Sequence, residues 1–185
     1  KNVRSRLMGI PTLITTNTSS NASSSAFTSS IDSTYDEYMF VCTDINPATD
    51  VAHFQCQFST DGGSNYGMTV TSTTFYAQHY EDDSSTSLAY QASADLAQST
   101  SDVFLNRSIG NGADESTVAI LHLFNPSNTT YVKNFYARSN EYAADNSTLD
   151  RFTAGYINDT QNVDAVIFRM SSGNFDGVIQ MYGIA

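Results

Sequence analysis

His53, His79 and His122 are the three histidines of the chain, and imidazole is the side chain most often used to ligate zinc-like metals. Their placement argues against that use. They fall in three separate apolar-patterned runs, and no pair has the four-residue spacing that sets two rings on one helical face. His122, inside STVAILHLF, reads as a hydrogen-bonded core residue, whereas His53 and His79 read as solvent-facing. The densest carboxylate run is Glu81, Asp82 and Asp83, which the fold can join to Asp114 and Glu115 or to Asp61. Hard cations take several such oxygens, so calcium in this acidic loop is the one cofactor the sequence leaves room for. The spacing of a calcium-binding loop is missing, however, and a solvated acidic loop without a cofactor is the simpler expectation.

Covalent chemistry finds less support. A nucleophile elbow, a zinc-protease helix and a glycine-rich phosphate loop each leave a local signature, and none is present. Carboxylate pairs for glycoside hydrolysis meet only in the fold, and no pair is singled out here. The expectation is a protein that is not an enzyme, with no catalytic residues. Cys42 and Cys56 both sit in apolar strand patterns and read as free buried thiols, since only a directly opposed pair in a hairpin would bring them close enough to bond. The tyrosines are more informative: eleven Tyr and eleven Phe without a Trp supply large amphipathic surfaces. Such surfaces suit subunit contacts or stacking on sugar rings. Tyr76, Tyr80 and Tyr90, with Tyr136 and Tyr142, are the candidates for a glycan or partner surface.

The elements that must position these residues are strands. In VAHFQCQF, Ala52, Phe54, Cys56 and Phe58 alternate with His53, Gln55 and Gln57, the pattern of a half-buried antiparallel strand. The run Tyr38 to Ile45 is more uniformly apolar, as a strand covered on both faces would be, and NPATD at 46–50 reads as the turn that makes the two a hairpin, ended by DGGSN at 61–65. Residues 15–34 hold 13 Ser or Thr among 20, yet Leu13, Ile14, Phe27 and Ile31 anchor a strand, a turn near Asn21 and a second strand. Further strands are expected over 68–80, 116–124, 130–138, 149–157, 163–170 and 177–184. Between them, the polar segment 81–115 reads as a long loop with one or two short strands, and SADLAQ at 93–98 is the best helical candidate. Short strands with abundant Thr, Tyr and Phe point to an all-β antiparallel sandwich of jelly-roll type, with a Greek-key or up-and-down barrel as the alternative.

Length and charge bound the rest. At 185 residues one domain suffices. The division expected is a basic arm with the first strand over 1–14 and a single sandwich over 15–185. Eight Lys and Arg stand against 19 Asp and Glu, and Lys1, Arg4 and Arg6 take three of the eight, so the remainder is 5 minus 19, or −14. A body this acidic repels phosphate backbones and anionic bilayers, which argues against nucleic-acid partners. No stretch reaches the roughly 20 apolar residues that would insert across a membrane. The arm carrying Arg4 and Arg6 is the candidate anchor on an acidic neighbour.

Several phrases together resemble a group of small virion proteins of tailed bacteriophages, especially marine ones. They are MGIPTLITT at 8–16, SSIDSTYDEYMF at 29–40, INPATD at 45–50, IGNGADES at 109–116, ILHLFNPSNTTYVKNFYA at 120–137, FTAGYIN at 152–158 and RMSSGNFDGVIQMYGI at 169–184. The resemblance implies a β-sandwich displayed on the virion surface after synthesis in the bacterial host cytoplasm, as a head decoration, a fibre or knob, or part of the tail. It implies a homo-oligomer, a trimer in the case of a fibre, in contact with other virion proteins. The group offers no catalytic residues to carry over. The competing expectation is an adhesin module that recognises host surface glycans through the 81–115 loop.

Overall fold

Buried and exposed side chains alternate through most segments from Thr12 onward, and a chain with that period satisfies its backbone in ladders. A computed structural model describes residues 9–185, and among the described residues it contains twelve strands and no helix. They are β1 (Thr12–Ala22), β2 (Ser25–Phe27), β3 (Glu37–Pro47), β4 (Phe54–Ser59), β5 (Val70–Tyr80) and β6 (Thr86–Tyr90), followed by β7 (Val103–Phe104), β8 (Thr117–Phe124), β9 (Lys133–Ala143), β10 (Ser147–Ile157), β11 (Ala165–Met170) and β12 (Phe175–Ile184).

Two open antiparallel sheets result, of order β1-β12-β3-β8-β9-β10-β5-β6 and β2-β11-β4-β7. The pairs β1·β12, β2·β11, β3·β8 and β4·β7 are successive rungs of one antiparallel ribbon, and they fall alternately into the larger and the smaller sheet. That alternation is the jelly-roll winding; the sheets do not close, so the barrel alternative does not hold. Two insertions, β5–β6 and β9–β10, continue the larger sheet beyond β8 and double its width. A phenylalanine cluster binds the sheets together: Phe40 of β3 meets Phe27 at 5.3 Å and Phe168 at 5.5 Å, and Phe54 stacks on Phe168 at 5.8 Å. The added strands are covered on their inner side by residues 91–110, whose Ala94, Leu96, Leu105 and Ile109 are buried. Leu96 carbonyl accepts from Ser72 N–H at 2.8 Å, and Leu105 carbonyl accepts from the Ser139 hydroxyl at 2.7 Å.

Several expectations are corrected. Residues 33–66 do not form a hairpin, because β3 belongs to the larger sheet and β4 to the smaller, and the turn at 46–50 carries the chain across the sandwich. Consequently Cys42 and Cys56 lie in different sheets; both are free and buried, and burial pushes both thiols up. β3 is buried on one side only, while Glu37, Met39, Val41 and Thr43 on its other side are partly exposed. β4 is buried on both sides, since Gln57 turns outward but donates its amide to the carbonyls of Thr100 and Ser101 at 3.1 and 2.9 Å. The 93–98 segment forms turns instead of a helix. β9 begins at Lys133, not 130, because the Asn128 side chain captures the N–H groups of Thr130 and Tyr131 in a turn. β1 starts at Thr12 and pairs with β12 from there, with a register shift at Ile14 between Leu13 and Thr15.

Candidate functional site

The inner side chains of β8, β9, β10 and β5 enter the core, so period-two geometry turns Val118, Ile120, His122 and Phe124, Tyr136 and Arg138, Asp150, Phe152 and Ala154, and Thr73, Phe75 and Ala77 to the opposite, outer face. Cross-strand register then aligns them in rows. One row runs Val41, Ile120, Arg138, Phe152, Phe75 and Tyr90; the next runs Tyr182, Met39, His122, Tyr136, Ala154 and Thr73. Among the described residues nothing covers them: Phe75 is 43% exposed, Ile120 40%, Tyr136 47% and Leu88 76%.

These side chains are organised among themselves. Phe75 and Phe152 stack at 4.9 Å with their planes 5° apart, and the Arg138 guanidinium lies over Phe152 at 5.0 Å. Arg138 donates to both oxygens of Asp150, at 3.0 and 2.8 Å, and that carboxylate raises the guanidinium's affinity for its proton. His122 stacks on Tyr136 at 4.6 Å and hydrogen-bonds Glu37 through Nδ1. His122 is therefore corrected from a core residue to a half-buried member of the outer face. The Arg138–Asp150 ion pair and the His122–Glu37 hydrogen bond are both closed within the chain.

Of the residues singled out in the sequence, Tyr90 stands on this face beside Phe75, its hydroxyl bonded to Asp95, whose carboxylate pushes the phenol upward. Tyr76 and Tyr80 point to the other side of β5: the Arg151 guanidinium lies 5.5 Å over the Tyr76 ring, and the Tyr80 hydroxyl donates to Asp145 at 3.0 Å. The three do not share one surface. Arg4 and Arg6 lie outside the described residues. Glu81 and Asp114 do approach one another, lining a cleft with His79 and Tyr142, whose phenol they push upward. Asp61 instead closes a turn with Ser59 and Asn65. Among the described residues no three His, Cys, Asp or Glu side chains converge as metal ligands would.

Sequence reading missed Ile120, Arg138, Phe152 and Phe75 as members of one surface. A signal existed for β8, where apolar residues fall on both sides of the strand, but that same pattern describes a strand covered twice. Compared with protein-family models, with curated proteins and with solved structures, the chain matches none.

Proposed function

We propose that the chain is a non-enzymatic structural protein of the exterior of a tailed-phage particle, a head decoration, fibre or knob, or tail component, acting by self-assembly and by contact with other virion proteins. The resemblance described above supports the particle. The jelly roll fits capsid-type and lectin-type proteins alike and adds only an analogy of fold. The observation that carries the reading is the uncovered outer face of the larger sheet, because soluble monomers rarely leave wide apolar patches in water and such patches mark contact surfaces. In this reading the arm with Arg4 and Arg6 anchors the protein to its neighbour.

Gold-tagged antibody against the protein, applied to intact particles from an infected culture, tests it. Label on the particle exterior is the expected result, and unlabelled particles beside abundant protein in the lysate would overturn it. Binding of the purified chain to host surface glycans, lost on Tyr90→Ala, would replace it with a receptor-binding role.

A further inference from the structure

We infer that the outer face of the larger sheet docks the same face of a second copy of this chain, forming an isologous dimer. The inference rests on the preceding reading only in taking the protein to work by assembly. Three observations select a second copy over other occupants.

Charge is the first. Residues 9–185 hold 5 Lys and Arg against 19 Asp and Glu, a body of −14. On the outer face the carboxyl, imidazole and guanidinium groups are Glu37 and His122, hydrogen-bonded to each other, Arg138 and Asp150, paired with each other, and, toward the strand ends, His79, hydrogen-bonded to Asp83, and Asp176, which accepts from Asn21 N–H. The surplus acid lies on turns, as at Asp61, Asp82, Asp83 and Asp114. A basic partner would be drawn to those turns. A partner as acidic as the chain itself is repelled from them and meets the least like charge over the outer face, where carboxylates are few. Because each of these groups already has a hydrogen-bonding partner within the chain, burying the face leaves none of them without one.

Area is the second. Eight strands at about 4.8 Å span about 38 Å, and six to eight residues at about 3.3 Å run roughly 20–26 Å along them. The resulting face of about 800–1,000 Å² matches the roughly 800 Å² that each partner buries in a stable complex. Two such faces also stack as sheets do, about 10 Å apart, letting Phe75, Phe152 and Ile120 interdigitate with their copies.

Symmetry is the third. Among the described residues, seven of the ten exposed large hydrophobics lie on this face, Leu13 opposite Tyr182 at its β1 edge and Phe75, Leu88, Tyr90, Val118, Ile120 and Tyr136 across it, while Ile10, Val51 and Tyr131 lie outside the strands. A head-to-tail contact needs a second, different patch, and these residues do not form one. The self-complementary contact needs only one.

Sedimentation of the purified full chain from about 1 to 100 μM tests the inference, a range spanning the affinities of ordinary homodimers. The expected species has twice the 20.1 kDa mass of the chain. Phe75→Glu combined with Ile120→Glu is expected to weaken association about 100-fold, the scale of central interface anchors, with the thermal melt of the monomer retained. Should that variant not fold, Leu88→Lys, on the most exposed of these positions, serves in its place. A monomer throughout, a trimer, or a dimer indifferent to these substitutions would overturn the inference. Dimers whose chains are missing from particles would leave this inference standing and remove the particle role; labelled particles built from monomers would do the reverse.

Discussion

Arg151 of β10 and Glu141 of β9 lie side by side beneath the added strands, with side chains 1% and 0% exposed and Nη2 3.5 Å from Oε1. Burial pushes the Glu141 carboxyl up and Arg151 pulls it back down, while the N–H of Arg107 donates to its other oxygen at 2.9 Å. Gln91 takes a hydrogen bond from Arg151 Nη1. Both Gln91 and Arg107 belong to the segment that covers the inner side of the extension, so this pair fastens the cover to the sheet. A buried pair adds little net stability, because desolvation offsets most of the attraction, but removing one member strands the other. Arg151→Met is therefore expected to cost about 3–5 kcal/mol in urea unfolding. Arg151→Met combined with Glu141→Leu is expected to recover most of that loss. A double variant as unstable as the single one would assign the loss to side-chain packing rather than to the stranded carboxylate.

Among the elements, those from β8 onward were legible because each is a short apolar or period-two run, and the runs of β8, β10 and β11 are closed by Asn125, Asn158 and Ser171. The path from β3 to β4 was not. Alternation states that a segment is a strand and which residues share a side; it does not state which sheet receives it. A bulge within β3, with Asp44 at φ +53°, precedes the crossing, and the turn itself uses Val51 at φ +60°, a backbone state that a β-branched residue does not advertise in the sequence. The outer face was hidden for a related reason: Ile120 beside Leu121 and Leu123 reads as a strand buried on both sides, and only the position of the smaller sheet shows that one side stays open. The turn after β4 was legible, and Asp61 is the residue that closes it. Its carboxylate accepts from Asn65 N–H at 2.9 Å, Asn65 Nδ2 at 2.7 Å and the Ser59 hydroxyl at 2.7 Å, which together hold it down to about 2 from an ordinary 3.8. A depressed carboxyl contributes stability above its unfolded value and loses it as pH falls through its folded value. The melting-temperature advantage of the protein over its Asp61→Asn variant is accordingly expected to be full at neutral pH, to shrink below about 4 and to vanish near 2. An advantage unchanged by acid would assign it to something other than the charge.

For the molecule as a whole, the central tension is between a shape that favours association and a charge that opposes it. The chain carries −11, and the described body −14, so two copies approaching each other repel until the faces poorest in carboxylates meet. Salt separates the two contributions. Screening shortens the reach of repulsion from about 10 Å at 0.1 M to about 3 Å at 1 M, while burial of apolar surface is not weakened by screening. The Arg138–Asp150 ion pair and the His122–Glu37 hydrogen bond join groups of the same chain, so salt removes no attraction between copies. Raising ionic strength is therefore expected to tighten the dimer, by about tenfold between roughly 0.05 and 0.5 M. Sedimentation at the two salt concentrations measures this directly. Association that weakened with salt would mean that copies attract through opposite charges, and the contact would then have to join the acidic turns to the basic residues near the start of the chain instead of the outer face to itself.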